Sequence, residues 1–440
     1  MRPYDLLFLR RLLRNQWQAP GALRELQDRK LQRLVRHAYD RVPYYRRLLD
    51  AAAVGPQDVR GVDDLARLPL MSREDLMGLP PEESLSRGLD PARCRQSITS
   101  GSTGIPLTIH HRRQDLTRMN LAWGRAYFAH GLKPWQRMVT FSGRKKVDEK
   151  RPWYERLGLL RRRTLSTWDE PAQWLEVLRA WQPQALSGYV MTLKLLAQAL
   201  QARPEIGWRP DVVFQSSGLL DEASRRFLHA IFDCRIVDIY GSAEAGCIAW
   251  ECDACPGYHV SADMVLVELL RDGWPVPPGE EGEVVVTNLH SYAMPFIRYR
   301  QGDVGRWAEG GSVCGRSLPT MAIIEGRLGD FVTLPSGRQL SPHHFFIALD
   351  TAAGVARWRL LQEAVDRLRV EVVASGGGDD QIEQTIRHGL QEITGEGVEI
   401  DIARVERLAI DPAQKFRSVI SWVGRPPAPG GDGRGAGGDR

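Results

Sequence analysis

A chain of 440 residues, 43% hydrophobic and 26% charged, is long enough for two or three globular domains with a sizeable core. A formal charge of +5 is small for that length, and no basic run carries interleaved aromatics, so nucleic acid is not an expected partner. No apolar run approaches the roughly 20 residues of a membrane span, and six cysteines do not make a disulfide framework in a chain this long.

The opening apolar stretch Leu6-Leu7-Phe8-Leu9 is broken at once by Arg10, Arg11 and Arg14, which excludes a secretion signal; a cytoplasmic protein with no membrane partner is expected. Residues 1 to about 60 are helical in pattern, clearest at Leu31, Leu34, Val35 and Ala38, with Val42-Pro43-Tyr44-Tyr45 ending that helix. Leu68-Pro69-Leu70-Met71 reads as an extended lead into a helix capped by Ser72, with acidic Glu74 and Asp75 in its first turn.

Next comes Ser97-Ile98-Thr99-Ser100-Gly101-Ser102-Thr103-Gly104-Ile105-Pro106-Leu107, with two glycines, five hydroxyl residues and no charge. Glycine lets backbone N–H groups approach an oxyanion, hydroxyls add donors, and nothing in the loop repels phosphate. The loop is not a Walker loop, because the Gly-Lys-[Ser/Thr] ending is missing. A solvated Ser/Gly turn is the alternative reading of this stretch taken alone.

Residues 114–130 and 170–203 read as helices. Between and after them a buried-strand pattern ending in small or aromatic polar residues recurs, at Met138 to Gly143, Ala185 to Tyr189, Val212 to Gly218 and Ile236 to Gly241. The second of these divides the 170–203 span into two helices. Strands alternating with helices imply a parallel sheet with ligands beyond its carboxyl ends, where Phe141, Tyr189 and the segment around Gly218 are expected pocket walls. From about residue 258 to Ile324 a smaller β-rich lobe is expected, then a final unit of alternating strands and helices, including Arg367 to Val373 and a helix from about Asp380 to Ile393. The Pro-, Gly-, Asp- and Arg-rich stretch 425–440 should be disordered.

Four further segments carry chemistry. Tyr240-Gly241-Ser242-Ala243-Glu244, with Ser216-Ser217-Gly218, offers a stacking surface for a purine and a carboxylate, Glu244, that could hold Mg²⁺. In Arg298-Tyr299-Arg300-Gln301-Gly302-Asp303 a carboxylate behind a glycine turn, at the end of a strand, can accept both ribose hydroxyls; the plain alternative is an ordinary turn aspartate. Gly326-Arg327-Leu328-Gly329-Asp330 marks a domain boundary, and Arg327 could reach a phosphate or the ribose. Lys415, the only lysine after Lys194 in an arginine-rich chain, can follow carboxylate and α-phosphate oxygens as charge develops, or be a chance surface residue.

In this order the segments resemble the acyl-adenylate-forming (ANL) superfamily, and within it the phenylacetate–CoA ligase family with its CapK-like members. The amino-terminal Leu34-Val35-Arg36-His37-Ala38, Val42-Pro43-Tyr44-Tyr45-Arg46 and Leu68-Pro69 look like that family's opening, and the resemblance covers about residues 30–424. It departs at Gln301, where Thr is usual, at Gln414, where Gly usually precedes the lysine, and at Leu219, where an acidic residue often follows Ser-Gly.

The resemblance implies an α/β ANL fold. Its large amino-terminal adenylation domain, 1–326, has parallel sheets flanked by helices plus the β-rich lobe; a small mobile α+β domain, 327–424, carries Lys415. It also implies ATP-dependent activation of a carboxylic acid, aryl or arylacetic, to an acyl-adenylate, followed by transfer to CoA. Transfer to an amine, a hydroxyl or a carrier-protein thiol, as in polysaccharide or natural-product pathways, is the alternative. On this reading Ser100, Gly101, Ser102, Thr103 and Gly104 hold the β- and γ-phosphates, and Thr103, Glu244 and Lys415 act at the reacting centre. Ser217, Gly218, Tyr240, Gly241, Ser242, Asp303 and Arg327 bind the nucleotide.

A last group is Cys252-Asp253-Ala254-Cys255 with His259 and, some sixty residues on, Cys314. C-x-x-C with a distant cysteine suits tetrahedral zinc. The resemblance implies a structural zinc too, although Ser312 has replaced one cysteine of the second pair; Cys247, His259 or water must supply the fourth ligand. Free reduced thiols are the other reading.

Overall fold

The computed structural model describes residues 3–99, 107–142, 152–167, 169–216, 220, 222–309, 313–325, 332–336, 339–340, 355–374, 381–406 and 419–423, with single positions at 345, 349, 352 and 408. Two compact units emerge, one made of Met1–Thr99 with Leu107–Arg327, the other running from Leu328 onward.

The first unit opens with helices α1 (Pro3–Asn15), α2 (Pro20–Arg41) and α3 (Pro43–Ala51). Helix α2 buries Leu23, Leu31, Leu34, Val35 and Ala38, the stripe expected of one helical face. Val42 takes an extended conformation and Pro43 sits at the first position of α3. There its missing N–H is one that a helix leaves unpaired anyway, so the proline starts a new helix as well as ending the old one.

The helix expected after Ser72 does not form. The Ser72 N–H and Oγ both donate to Asp75 Oδ2, at 2.7 and 2.8 Å, closing a single turn. Gly78 in the left-handed region (φ +82°) and Pro80 stop it from propagating. The one-turn helix α4 (Pro81–Ser84) follows, and then the hairpin β1 (Arg95–Thr99) and β2 (Leu107–His111), whose register brings Thr99 opposite Leu107.

The next elements alternate: α5 (Arg113–Ala129), β3 (Met138–Ser142), α6 (Trp153–Arg156), β4 (Arg162–Ser166), α7 (Pro171–Trp181), β5 (Ala185–Gly188), α8 (Val190–Gln201), β6 (Val212–Ser216), α9 (Glu222–Phe232) and β7 (Arg235–Ser242). Strands β4, β3, β5, β6 and β7 pair in parallel in that order. Residue parity divides their side chains. Met138, Ala185, Phe214 and Val237 join a core with α2 and α5, whereas Val139, Leu186, Val213 and Ile236 join a second core with Trp174 and Leu178 of α7, Leu193 of α8 and Phe232 of α9.

The β-rich segment is not a separate lobe. Strands β8 (Gly246–Glu251), β9 (Tyr258–Val260), β10 (Val265–Arg271), β11 (Trp274–Pro275), β12 (Glu281–Asn288), β13 (Tyr299–Trp307) and β14 (Thr320–Glu325) extend the same sheet. Among the described residues its order is β11-β10-β12-β13-β14-β9-β8-β7-β6-β5-β3-β4. The change from parallel to antiparallel falls at β7–β8, where Ser242 pairs with Gly246 across a tight turn and Gly246 adopts φ +75°.

A buried charge cluster ties the amino-terminal helices to this sheet. Arg125 of α5 pairs with Asp263 at 2.6 Å, both fully buried, and Asn15 of α1 donates to the other Asp263 oxygen at 2.9 Å. Lys30 of α2 donates to the Asp263 carbonyl, and burial pulls its ammonium down to about 8.

The second unit contains β15 (Val332–Thr333), β16 (Gln339–Leu340), β17 (Val355–Ala364), β18 (Arg367–Ala374), α10 (Gln381–Thr394), β19 (Glu399–Arg404) and β20 (Val419–Ser421). Its sheet runs β19-β18-β17-β20 over a core of its own with Trp358, Leu360, Val370, Ile386 and Leu390. Buried Gln362 links three strands: its amide donates to the Thr333 carbonyl and its oxygen accepts from the Thr333 N–H and Ser421 Oγ. No described helix in either unit is long and apolar enough to cross a membrane.

Candidate functional site

The carboxyl end of β7 carries Tyr240, Gly241 and Ser242. Tyr240 donates from Oη to Asp303 Oδ2 at 2.6 Å, joining two segments 63 residues apart in the chain. Asp303 is not at a strand end as the sequence suggests; it lies within β13. Glu283 pairs with Val304 and Val285 with Arg300, so Gln301, Gly302 and Asp303 bulge out opposite the single Val284. Gly302 at φ +78° makes this bulge possible at little cost, and the bulge aims the carboxylate at Tyr240.

Gly241 has a structural reason of its own. A Cβ there would lie 2.5 Å from the Gly246 carbonyl oxygen and 2.8 Å from the Trp123 indole. Ser242 Oγ accepts the Ala245 N–H at 3.1 Å and holds the turn. Glu244 follows in that turn and is buried; its carbonyl accepts from Asn288 Nδ2 at 2.8 Å and its Oε1 from Tyr299 Oη at 3.2 Å. The described residues supply no hydrogen bond to Oε2, which leaves a carboxylate oxygen suited to a hard cation such as Mg²⁺.

Arg298, at the head of the Asp303 segment, is a staple and not a ligand. It adopts φ +48° and is almost wholly buried, pairs in bidentate fashion with Glu268 (3.0 and 2.8 Å), and donates to the Leu68 carbonyl at 2.6 Å. Two strand positions before Tyr240, the buried Asp238 accepts from Tyr258 Oη at 2.7 Å, and burial pushes its carboxyl up to about 7.

Phe141 is core and not pocket wall, which corrects the sequence expectation. It is 7% exposed and meets Trp174 edge-on, ring centroids 5.1 Å apart, on the α7 side of the sheet. Tyr189 is half-buried in extended backbone before α8. Ser100, Gly101, Ser102, Thr103, Gly104, Ser217, Gly218, Arg327 and Lys415 lie outside the described residues, as do the stretch 425–440, Leu219, Ser312, Asp330 and Gln414. Sequence alone does not mark Trp123, whose indole lies against Gly241 at the end of β7. Nothing in a helical apolar stripe distinguishes a ring facing a site from one facing a core.

The cysteines do gather. Cys252, Cys255, His259 and Cys314 bring one ligand atom each within 4.8 Å of one another. The Cys252 and Cys255 sulfurs are 3.4 Å apart, and Cys314 Sγ is 3.2 Å from His259 Nε2. Three thiols and a fully buried imidazole, which burial pulls down to about 4 and so keeps neutral, form a set that fits tetrahedral zinc. The Ala254 N–H and Arg316 Nη1 donate to Cys252 and Cys314 sulfur, both at 3.4 Å, as outer partners of such a site would. His130 holds the intervening loop through Asp253 at 2.9 Å. Cys247 stays out: it is buried five residues back along β8, where Ser261 Oγ donates to its sulfur.

The mixed sheet and its flanking helices have the fold seen in a solved CoA ligase. A solved 2-hydroxyisobutyryl-CoA ligase, in complex with its adenylate and CoA, superposes with a TM-score of 0.65 at 20% identity, over 93% of this chain and 91% of that one. No protein-family model matches the chain. In sequence the chain is homologous to the phenylacetate–coenzyme A ligases. It is 28% identical over 325 residues to that of Thermus thermophilus and 27% over 325 to that of Escherichia coli, spanning 71% of this chain and 72% of either relative.

Proposed function

We propose that the protein activates a carboxylic acid with ATP and passes the acyl group to CoA. A carboxylate oxygen attacks the α-phosphorus and pyrophosphate leaves; the CoA sulfur then attacks the acyl carbonyl and AMP leaves. The observation that carries this reading is the Tyr240–Asp303 hydrogen bond, which sets a stacking ring and a ribose-binding carboxylate side by side beyond the carboxyl ends of the parallel strands. The kinship with phenylacetate–CoA ligases supports an aryl or arylacetic acid as substrate.

The roles follow from chemistry. Tyr240 stacks on the base, Asp303 accepts the ribose hydroxyls, Ser217, Gly218, Gly241 and Ser242 frame the nucleotide, and the 100–104 loop binds the terminal phosphates. Arg327 reaches a phosphate or the ribose. Lys415 neutralises the charge shared by carboxylate and α-phosphate, with Thr103 on the leaving phosphates. Glu244 would hold the Mg²⁺ of the nucleotide, which supplies neutralisation of phosphate charge. Cys252, Cys255, His259 and Cys314 would hold a structural zinc outside the chemistry. The reading places the enzyme in the cytoplasm, where both ATP and CoA are available.

The test is carboxylate-dependent ATP–pyrophosphate exchange across a panel of acids, each run with and without CoA. Exchange with any acid establishes adenylation, and thioester formation in the CoA arm establishes the acceptor. No exchange with any acid would overturn the proposal.

A further inference from the structure

Helix α5 runs directly beneath the strand ends of the site. A Cβ on Gly246 would lie 3.3 Å from the Met119 side chain, and one on Gly241 would lie 2.8 Å from the Trp123 indole. Met119 and Trp123 are four residues apart and share a helix face, and Tyr127 stands one further turn along it. The Tyr127 ring centroid is 4.6 Å from that of Phe214 on β6, and its Oη is 3.3 Å from Ser187 Oγ near the end of β5. One row of side chains thus runs from the carboxyl end of β7 across the middle of β6 to Ser187 of β5.

Trp123 and Tyr127 are half-buried, unlike the fully buried Ala122 and Ala126 beside them, so each residue keeps some exposed surface. The nucleotide position is set by Tyr240 and Asp303. An acid whose carboxylate reaches the α-phosphate must run its tail past Gly241, which has no side chain, and meet the indole behind it. The geometry points to Trp123 as the specificity-determining residue of the acid subsite: its indole closes the space under Gly241 and limits the size of the acid that enters. This rests on the adenylation reading above. The ligand class is a compact carboxylic acid, and the aromatic wall suits a single flat ring better than a long chain.

The test uses unreactive adenylate mimics, acyl-sulfamoyl adenosines carrying acetyl, phenylacetyl, 4-phenylbutyryl and decanoyl groups. Each is titrated calorimetrically into the wild-type protein, W123F and W123V, with AMP as reference. The wild type should bind the acetyl and phenylacetyl compounds and discriminate against the two longer ones. Since one methylene in a tight pocket is worth about ten-fold or more, W123V should gain at least about ten-fold for the longer compounds, with affinity for AMP unchanged. W123F should fall between, and it decides by the same ranking if W123V does not fold. A parallel loss for all compounds and AMP would make Trp123 merely structural and overturn the inference, as would an unchanged ranking. If no mimic outbinds AMP on the wild-type protein, the adenylation reading itself falls, and this inference with it.

Discussion

Asp238→Asn should stabilise the first unit above neutral pH and leave it nearly unchanged in acid. Asp238 lies within β7, 8% exposed, with Tyr258 donating to its carboxylate, Glu251 nearby raising it further and Arg225 opposing. Burial raises the carboxyl from 3.8 to about 7, so the folded protein holds this proton more tightly than the unfolded chain. The resulting stability is fully present below pH 3.8, fades as the pH climbs, and is gone above about 7. A rise from 3.8 to about 7 corresponds to about 4 kcal/mol, the cost the folded state bears when it holds the bare carboxylate. Asparagine keeps an oxygen for Tyr258 and carries no charge at any pH. Urea unfolding of parent and variant, run side by side from about pH 4.5 to about pH 8.5, isolates this one group, since every other titration is common to both. The variant's advantage should grow by several kcal/mol across that range. A difference that stays flat would refute the reasoning, because Asp238 would then not change its charge inside the fold.

Asp303→Ala should weaken ATP and AMP binding by about 10- to 150-fold, from the loss of a charge-assisted contact worth about 1.5–3 kcal/mol; an unchanged nucleotide dissociation constant removes Asp303 from the site. Lys415→Ala should abolish pyrophosphate exchange while leaving CoA attack on pre-formed acyl-adenylate largely intact, and equal loss in the two half-reactions would assign the lysine another role. Purified protein should carry about one zinc per chain by elemental analysis, and Cys255→Ser should lose it and melt at lower temperature before activity declines. Three freely alkylated thiols, at Cys252, Cys255 and Cys314, in metal-free, fully stable protein would end the zinc assignment.

Much of this molecule is written locally. The α2 stripe, the strand patterns at Met138, Ala185 and Val212, and the helix ending at Thr394 follow from residue spacing, because three- to four-residue and two-residue periods are properties of a short segment. The segments proposed to bind nucleotide stand out for the same reason: Tyr240, Glu244 and Asp303 each sit in a short run of residue types suited to that chemistry. Tertiary structure alone decided which of these residues meet. Whether residues 258–324 form their own lobe depends on the free edge of β7, and that edge is filled by β8 only once the Ser242–Gly246 turn reverses the chain. The place of Asp303 depends on a bulge, and a bulge exists only relative to a partner strand, here β12. Which residue joins the three cysteines is decided the same way. Cys247 is nearer to Cys252 in sequence than His259 is, but a strand rises about 3.4 Å per residue and carries it away. The β8–β9 pairing instead sets His259 opposite Trp250, two residues from Cys252, and the β9–β14 pairing sets it opposite Thr320, six residues from Cys314. Distance along the chain and distance in space part company wherever strands pair, and the site is built where they do.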